Sequence, residues 1–138
     1  MITPGLGTRS DNRPLNDGGL PKGMEMFLQA LKIAAAIGTA VTGLLSLFRP
    51  SLVTGFTGLR TEGPRGVTEV RAIFGGLLIG MGAFPLIVSA PVTYRMLGVL
   101  YLSIAVVRLV SMVVDGSVDR SNLISLAVEV IFGTILSL

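Results

Sequence analysis

The sequence predicts an all-α protein, a four-helix transmembrane bundle preceded by an irregular N-terminal tail. Its mean hydropathy is +0.78, 51% of its residues are hydrophobic, and only 14% are charged. A water-soluble domain usually has about 25% charged residues, far more than this chain. Four apolar stretches have about the length that a helix needs to cross a hydrocarbon core of about 30 Å.

The residue types that the chain lacks argue against catalysis. It has no Cys, no His and no Trp, which removes thiolate nucleophiles, disulfides, the commonest metal ligand and the usual general base. We therefore predict no enzyme activity, no catalytic residue, no metal and no cofactor. The net charge is +3, but the basic residues are scattered rather than clustered with aromatic residues. Nucleic-acid binding is therefore not expected.

The chain divides into a polar tail over residues 1–24 and a membrane domain over residues 25–138. The tail is rich in Pro and Gly and has no apolar segment of the kind found in signal peptides, so we expect irregular structure. Arg49-Pro50 ends the first helix because proline disfavours helical geometry at the residue before it. Gly116 is suited to a left-handed cap after the third helix. The predicted helices cover residues 27–48, 67–89, 92–114 and 121–138.

Small residues spaced four apart mark faces on which membrane helices pack closely. In the second helix, Ala72, Gly76 and Gly80 form a ridge of this kind. Gly38 in the first helix and Gly133 in the fourth belong to similar stripes. We expect these five positions to make close contacts between helices.

Ionisable residues interrupt the apolar stretches. Glu69 and Arg71 lie near the start of the second helix, Arg108 lies within the third helix, Asp115 follows it, and Glu129 lies in the fourth. Four helices that cross alternately place Glu69, Arg71, Arg108 and Glu129 in one half of the membrane. Because ionised groups in lipid are costly unless they are paired, we predict a buried ion network. Its expected pairs are Arg71 or Arg108 with Glu129, and Arg108 with Glu69.

The sequence leaves three interpretations of these charges open. Buried ion pairs can simply fix the register of packed helices. Intramembrane ionisable residues are also candidates for a ligand, ion or proton site. Each side chain could instead reach the headgroups independently, which suits Glu69 and Arg71 better than Arg108 and Glu129.

Two motifs resemble those of a known family. They are E-V-R-A-I-F-G-G at residues 69–76 and R-L-V-S-M-V-V-D-G at residues 108–116, followed by Glu129 in the last helix. In this order they resemble a family of small bacterial four-helix membrane proteins that is known only as a domain of unknown function. The resemblance covers about residues 27–138 and leaves the tail outside. It implies an integral membrane bundle with these charged residues as its signature, and it implies no activity, substrate or cofactor.

We expect a non-catalytic integral membrane protein that serves as an accessory or structural subunit of a larger membrane complex. The alternative is a small transporter, or an ion- or proton-handling protein, that uses the Glu/Arg network. An enzyme acting on lipid is the weakest hypothesis because no nucleophile and base stand together. The expected partners are the lipid bilayer and other membrane subunits, or further copies of the chain that associate through the small-residue faces.

The expected location is the bacterial inner, or cytoplasmic, membrane. The basic residues outside the spans are balanced between the two sides, so the positive-inside rule gives no orientation. We expect the N-terminus to lie in the cytoplasm because the tail carries no signal that would direct its export.

Overall fold

The structure is a computed structural model that describes residues 20–138, and within them it is helical without strands. The four predicted helices are confirmed, and each begins earlier than predicted. A short helix, α2, joins the first two long ones. The five helices are α1 (Lys22–Phe48), α2 (Pro50–Thr57), α3 (Gly63–Val88), α4 (Pro91–Val114) and α5 (Arg120–Ser137). Residues 1–19 of the predicted tail lie outside the described residues, and Lys22–Met24 already belong to α1.

Local sequence explains where the helices begin and end. Proline opens α2 and α4, where its missing N–H leaves no intrahelical hydrogen bond unmade. The Asp119 carboxylate caps α5 by accepting a hydrogen bond of 2.8 Å from the backbone N–H of Asn122. Gly116 has a φ of +61°, the left-handed conformation predicted for it. Ser89 ends α3 in the same region with a φ of +53°, which is uncommon for a residue with a side chain.

Helix α3 changes its winding near its start. It is α-helical as far as Val70, π-helical over Arg71–Leu77, and α-helical again from Leu78 to Val88. A π-helical turn bonds each N–H to the carbonyl five residues back and is often found at functional sites. This segment follows the charged start of α3 and packs against α1.

Helices α1 and α3 form a close-packed pair. A methyl group at Gly82 of α3 would lie 2.5 Å from the carbonyl oxygen of Ala36 and the backbone nitrogen of Ala40. A methyl group at Gly43 of α1 would lie 2.6 Å from the backbone nitrogen of Ile79. Backbones that approach this closely gain dispersion contacts, which drive helix association where lipid removes the hydrophobic driving force.

Helices α4 and α5 form the second close pair. A methyl group at Gly133 of α5 would lie 2.7 Å from the side chain of Leu102, and one at Gly98 of α4 would lie 2.5 Å from the Ser137 hydroxyl. Gly133 therefore makes the close helix contact predicted for it. Gly38 of α1 makes a looser contact, because a methyl group there would lie 3.6 Å from the Phe132 ring.

The two pairs meet around Tyr101. Its hydroxyl lies 2.7 Å from the Thr39 hydroxyl of α1, and its ring meets the Phe132 ring edge-on with centroids 5.7 Å apart. Ala35, Ala36, Tyr94, Leu97 and Leu136 form the buried core beside them. These contacts join α1, α4 and α5 into one bundle.

The ridge of Ala72, Gly76 and Gly80 does not make the close helix contact predicted for it. All three are exposed, and a methyl group at Gly76 or Gly80 would meet nothing within 4 Å. Helix α1 packs instead on the side of α3 that carries Gly75 and Gly82. Two stripes of small residues run along α3, and Gly43 of α1 packs on the one that carries Gly75.

The outer surface of the long helices is apolar. Large hydrophobic side chains such as Phe84, Ile87, Val107, Val113 and Ile131 are exposed along them. Four helices, α1, α3, α4 and α5, are long and apolar enough to cross a membrane. An apolar surface of this extent would be a liability in water, whereas lipid covers it. The chain is therefore an integral membrane protein.

Candidate functional site

An ion pair between Arg108 of α4 and Glu129 of α5 is the centre of the candidate site. The Arg108 Nε donates to both carboxylate oxygens of Glu129 at 2.9 Å. Its Nη2 donates to Oε1 at 2.7 Å. Charge-assisted hydrogen bonds of this kind, from two guanidinium nitrogens to one carboxylate, are stronger than those between neutral groups. The close packing of α4 on α5 brings the two side chains together.

Asn122, on the first turn of α5, completes the hydrogen bonding of the guanidinium. Its Oδ1 accepts a hydrogen bond of 3.0 Å from Arg108 Nη1. Its Nδ2 donates to the carbonyl of Ser117 at 2.8 Å. The amide therefore links the ion pair to the turn between α4 and α5. Asn122 is not among the residues predicted for the ion network. Asn122 lies seven residues, or two helical turns, before Glu129, and this spacing on one helix face was the signal that could have indicated its place in the site.

The ion pair is largely buried, but part of the Arg108 side chain is exposed. Within the bundle, the Arg108 side chain is 29% exposed and that of Glu129 is 9% exposed. Arg108 lies seven residues before Asp115, so helix rise places it about 10 Å from that end of α4. A carboxylate at this depth is stable only with a partner. Arg108 supplies it, and the pair is neutral as a unit.

The structure brings together two of the five residues of the predicted ion network. Glu69, Arg71 and Asp115 are exposed and make no hydrogen bond to Arg108 or Glu129. Glu69 lines a shallow pocket with residues of the α2–α3 connection, Arg71 opens the π-helical segment, and Asp115 ends α4. The predicted contact between Arg108 and Glu69 is absent because α3 packs chiefly on α1.

A cavity of about 500 Å³ opens beside Arg108. Its walls come from α4, the α4–α5 turn and the first turn of α5. Three serines, Ser103, Ser111 and Ser117, line it with Arg108 and Asn122. The sequence places Ser103 and Ser111 near Arg108 on the same helix, whereas no pattern indicated that Ser117 would join them. The cavity gives the guanidinium a polar opening towards the surface of the bundle.

The match to a family model covers residues 27–138, and its description is Domain of unknown function (DUF4345). The chain belongs to this family. The resemblance predicted from the two charged motifs is thereby confirmed. The match runs from the first turns of α1 to the end of α5, so the ion pair and the cavity lie within the DUF4345 region. Comparisons with curated proteins and with solved structures found no match.

A second depression of the DUF4345 bundle lies between α3 and α4. It is an apolar groove of about 390 Å³, with Gly76 and Gly80 on one wall and Met96, Leu97 and Leu100 on the other. Because glycine has no side chain, Gly76 and Gly80 leave open space on their wall of the groove.

Within residues 20–138, no three His, Cys, Asp or Glu side chains gather in a group that could hold a metal ion. In this part of the chain, the Arg108–Glu129 pair is also the only Lys/Arg–Asp/Glu contact within 4.0 Å. The arrangement at this site can fix two helices to each other and can offer hydrogen-bond donors to the cavity.

Proposed function

We propose that the chain is a non-catalytic accessory subunit that associates with another membrane protein through the open glycine face of α3. The observation that carries the proposal is the exposure of Gly76 and Gly80. Six other helical glycines, at positions 38, 43, 75, 82, 98 and 133, lie against atoms of a neighbouring helix. Gly76 and Gly80 instead line an uncovered groove, and small residues of this kind let another transmembrane helix approach closely.

The ion pair supports a structural role within this proposal. Glu129 accepts three hydrogen-bond contacts from Arg108, so its carboxylate is already neutralised. A pair of this kind between two helices specifies which faces meet and in what register. It would hold α4 against α5 while α3 remains available to a partner.

Cross-linking in native membranes tests the proposal. Because the chain has no Cys, Gly80→Cys introduces a unique thiol into the groove for a short thiol-reactive cross-linker. Ala34→Cys is the matched control, since Ala34 is a small exposed residue of α1. We expect a discrete protein adduct from Gly80→Cys and none from Ala34→Cys. A chain that yields no adduct at position 80, and that purifies in mild detergent only as a lone monomer, would refute an accessory role.

The alternative is a small transporter or an ion- or proton-handling protein. The observation that favours it is the cavity beside Arg108, which opens a path to an ionisable pair inside the membrane. Glu129→Gln keeps the shape of the side chain and removes its charge. In proteoliposomes this substitution should abolish flux while leaving the bundle folded. Flux equal to that of the unaltered chain would eliminate a role for Glu129 in transport.

We also propose that the chain lies in the bacterial cytoplasmic membrane with its N-terminus in the cytoplasm. An even number of spans places both ends of the bundle on one side. Labelling of a single cysteine at Leu138 by a membrane-impermeant reagent tests this orientation. Protection in intact cells, together with labelling in inverted vesicles, is the expected result.

A further inference from the structure

We propose that the cavity beside Arg108 binds an uncharged, carbonyl-bearing headgroup of a membrane amphiphile. The guanidinium has five N–H groups. Glu129 takes up Nε–H and one N–H of Nη2, and Asn122 takes up one N–H of Nη1. One N–H of Nη1 and one of Nη2 have no acceptor within residues 20–138. Unused N–H donors of this kind suit an oxygen acceptor such as a carbonyl group.

The cavity walls match an amphiphile rather than a fully polar solute. Ser111 lines the cavity. Its hydroxyl makes no side-chain hydrogen bond within the described part of the chain, so it can donate a hydrogen bond to a ligand. Ile104, Val107 and Met112 form the apolar part of the wall. A ligand with an oxygen acceptor at one end and a hydrocarbon tail at the other would contact both kinds of surface.

Local charge disfavours an anionic headgroup. Glu129 already neutralises Arg108, and the adjoining turn adds Asp115, Asp119 and Arg120. These five groups together carry more negative than positive charge. Hydrogen bonds from the backbone of Asn122 and the hydroxyl of Ser121 lower the pKa of Asp119, so its carboxylate stays ionised. A phosphate or carboxylate would add another negative charge, whereas a neutral carbonyl would not.

The depth of Arg108 also fits a carbonyl. Helix α4 has 24 residues and is about 36 Å long, so its ends reach slightly beyond a hydrocarbon core of about 30 Å. Arg108 therefore lies about 7 Å inside the boundary of that core. Two kinds of neutral amphiphile supply a carbonyl group: glycerides, through their esters, and isoprenoid quinones, through their rings.

Native mass spectrometry of the detergent-purified chain resolves the candidates by mass. The probes are dioleoylglycerol, decylubiquinone and dioleoylphosphatidic acid at equal concentration. We expect at least one neutral probe to bind more than the phosphatidic acid, and the preferred one identifies the carbonyl source. Ser111→Leu fills the cavity without removing the ion pair and should reduce that adduct at least fivefold. Ser51→Leu, at the exposed start of α2, is the matched control and should leave it unchanged.

A second variant tests the argument from charge. Glu129→Gln keeps a carbonyl acceptor for Arg108 but leaves the guanidinium charge uncompensated. Because hydrogen bonds between charged groups are stronger than neutral ones, binding should shift about fivefold towards phosphatidic acid. Equal binding of all three probes, a preference of the unaltered chain for phosphatidic acid, or an adduct unaffected by Ser111→Leu would overturn the proposal. If Glu129→Gln does not fold, the comparison of Ser111→Leu with Ser51→Leu still tests the proposal.

Discussion

The guanidinium of Arg108 meets the carboxylate of Glu129 side-on, with nitrogen–oxygen distances of 2.7 to 2.9 Å. The contact joins α4 and α5 at a point where both helices lie inside the membrane. Removing Arg108 alone would leave an unpaired carboxylate that is only 9% exposed. Removing both charges would leave an apolar contact in an apolar surrounding. Removing one partner should therefore cost much more stability than replacing both partners with apolar residues.

Arg108→Leu is accordingly expected to lower the free energy of unfolding by about 3 kcal/mol. The double variant Arg108→Leu/Glu129→Leu should recover most of that loss, because no buried charge remains. Unfolding by SDS titration in mixed micelles measures both, with Glu129→Leu completing the double-mutant cycle. Strictly additive effects of the two substitutions would show that the pair contributes no coupling energy.

Asn122→Ala is expected to destabilise the bundle by about 1 kcal/mol. The substitution removes the acceptor for Arg108 Nη1 and the donor to the Ser117 carbonyl, so the turn loses its link to the ion pair. The backbone N–H of Asn122 would still be capped by Asp119. The same SDS titration detects the change, with Ser51→Ala as the surface control. An unchanged unfolding midpoint would mean that the side-chain links of Asn122 add no stability.

The Asp119 cap predicts a dependence of stability on pH. Its pKa is lowered by the backbone N–H of Asn122 and the hydroxyl of Ser121. A folded-state pKa below the unfolded value of about 3.9 means that the ionised carboxylate stabilises the fold above that pH. This contribution is lost as the pH falls from about 4 through the lowered pKa.

Asp119→Asn supplies the comparison for that pH effect, because asparagine caps a helix but does not titrate. Thermal unfolding of both proteins between pH 6 and pH 2 should show the unaltered chain losing stability relative to the variant below about pH 4. A stability difference that stays constant over this range would contradict the role assigned to the carboxylate.

Some features of the fold follow directly from the sequence. Apolar length and terminal signals such as Arg49-Pro50 and Gly116 were enough to predict the four long helices, since a span must satisfy its own backbone in lipid. That Glu129 pairs with an arginine was predictable because each needs an opposite charge at the same depth, although Arg71 and Arg108 were both candidates. Neither inference depends on how the helices are arranged around the bundle.

Other features depend on that arrangement. Glu69 and Arg71 lie on a helix that packs chiefly on α1, and no periodicity in α3 indicates which neighbour it will have. Lipid is as apolar as the bundle interior, so hydropathy does not distinguish the Gly75 and Gly82 side of α3 from the Gly76 side. The π-helical segment at Arg71–Leu77 is a change in backbone hydrogen bonding, and no side-chain pattern in this stretch signalled it.

The two glycine faces of α3 are expected to respond oppositely to the same substitution. A methyl group at Gly82 would lie 2.5 Å from backbone atoms of α1, which cannot yield without separating the helices. Gly82→Ala should therefore destabilise the bundle by about 1–3 kcal/mol. A methyl group at Gly80 meets nothing within 4 Å. Gly80→Ala should leave stability unchanged or raise it by about 0.5–1 kcal/mol, because alanine favours a helix over glycine.

SDS titration of the two single variants measures this contrast directly, since each substitution adds one methyl group to the same helix. Gly76→Ala provides a second test of the open face and should behave like Gly80→Ala. If Gly80→Ala proves as destabilising as Gly82→Ala in the isolated chain, the ridge must be buried against another helix of the same bundle. If Gly76→Ala is harmless in the isolated chain but weakens the adduct that Gly80→Cys forms in native membranes, the open face is where a partner helix binds.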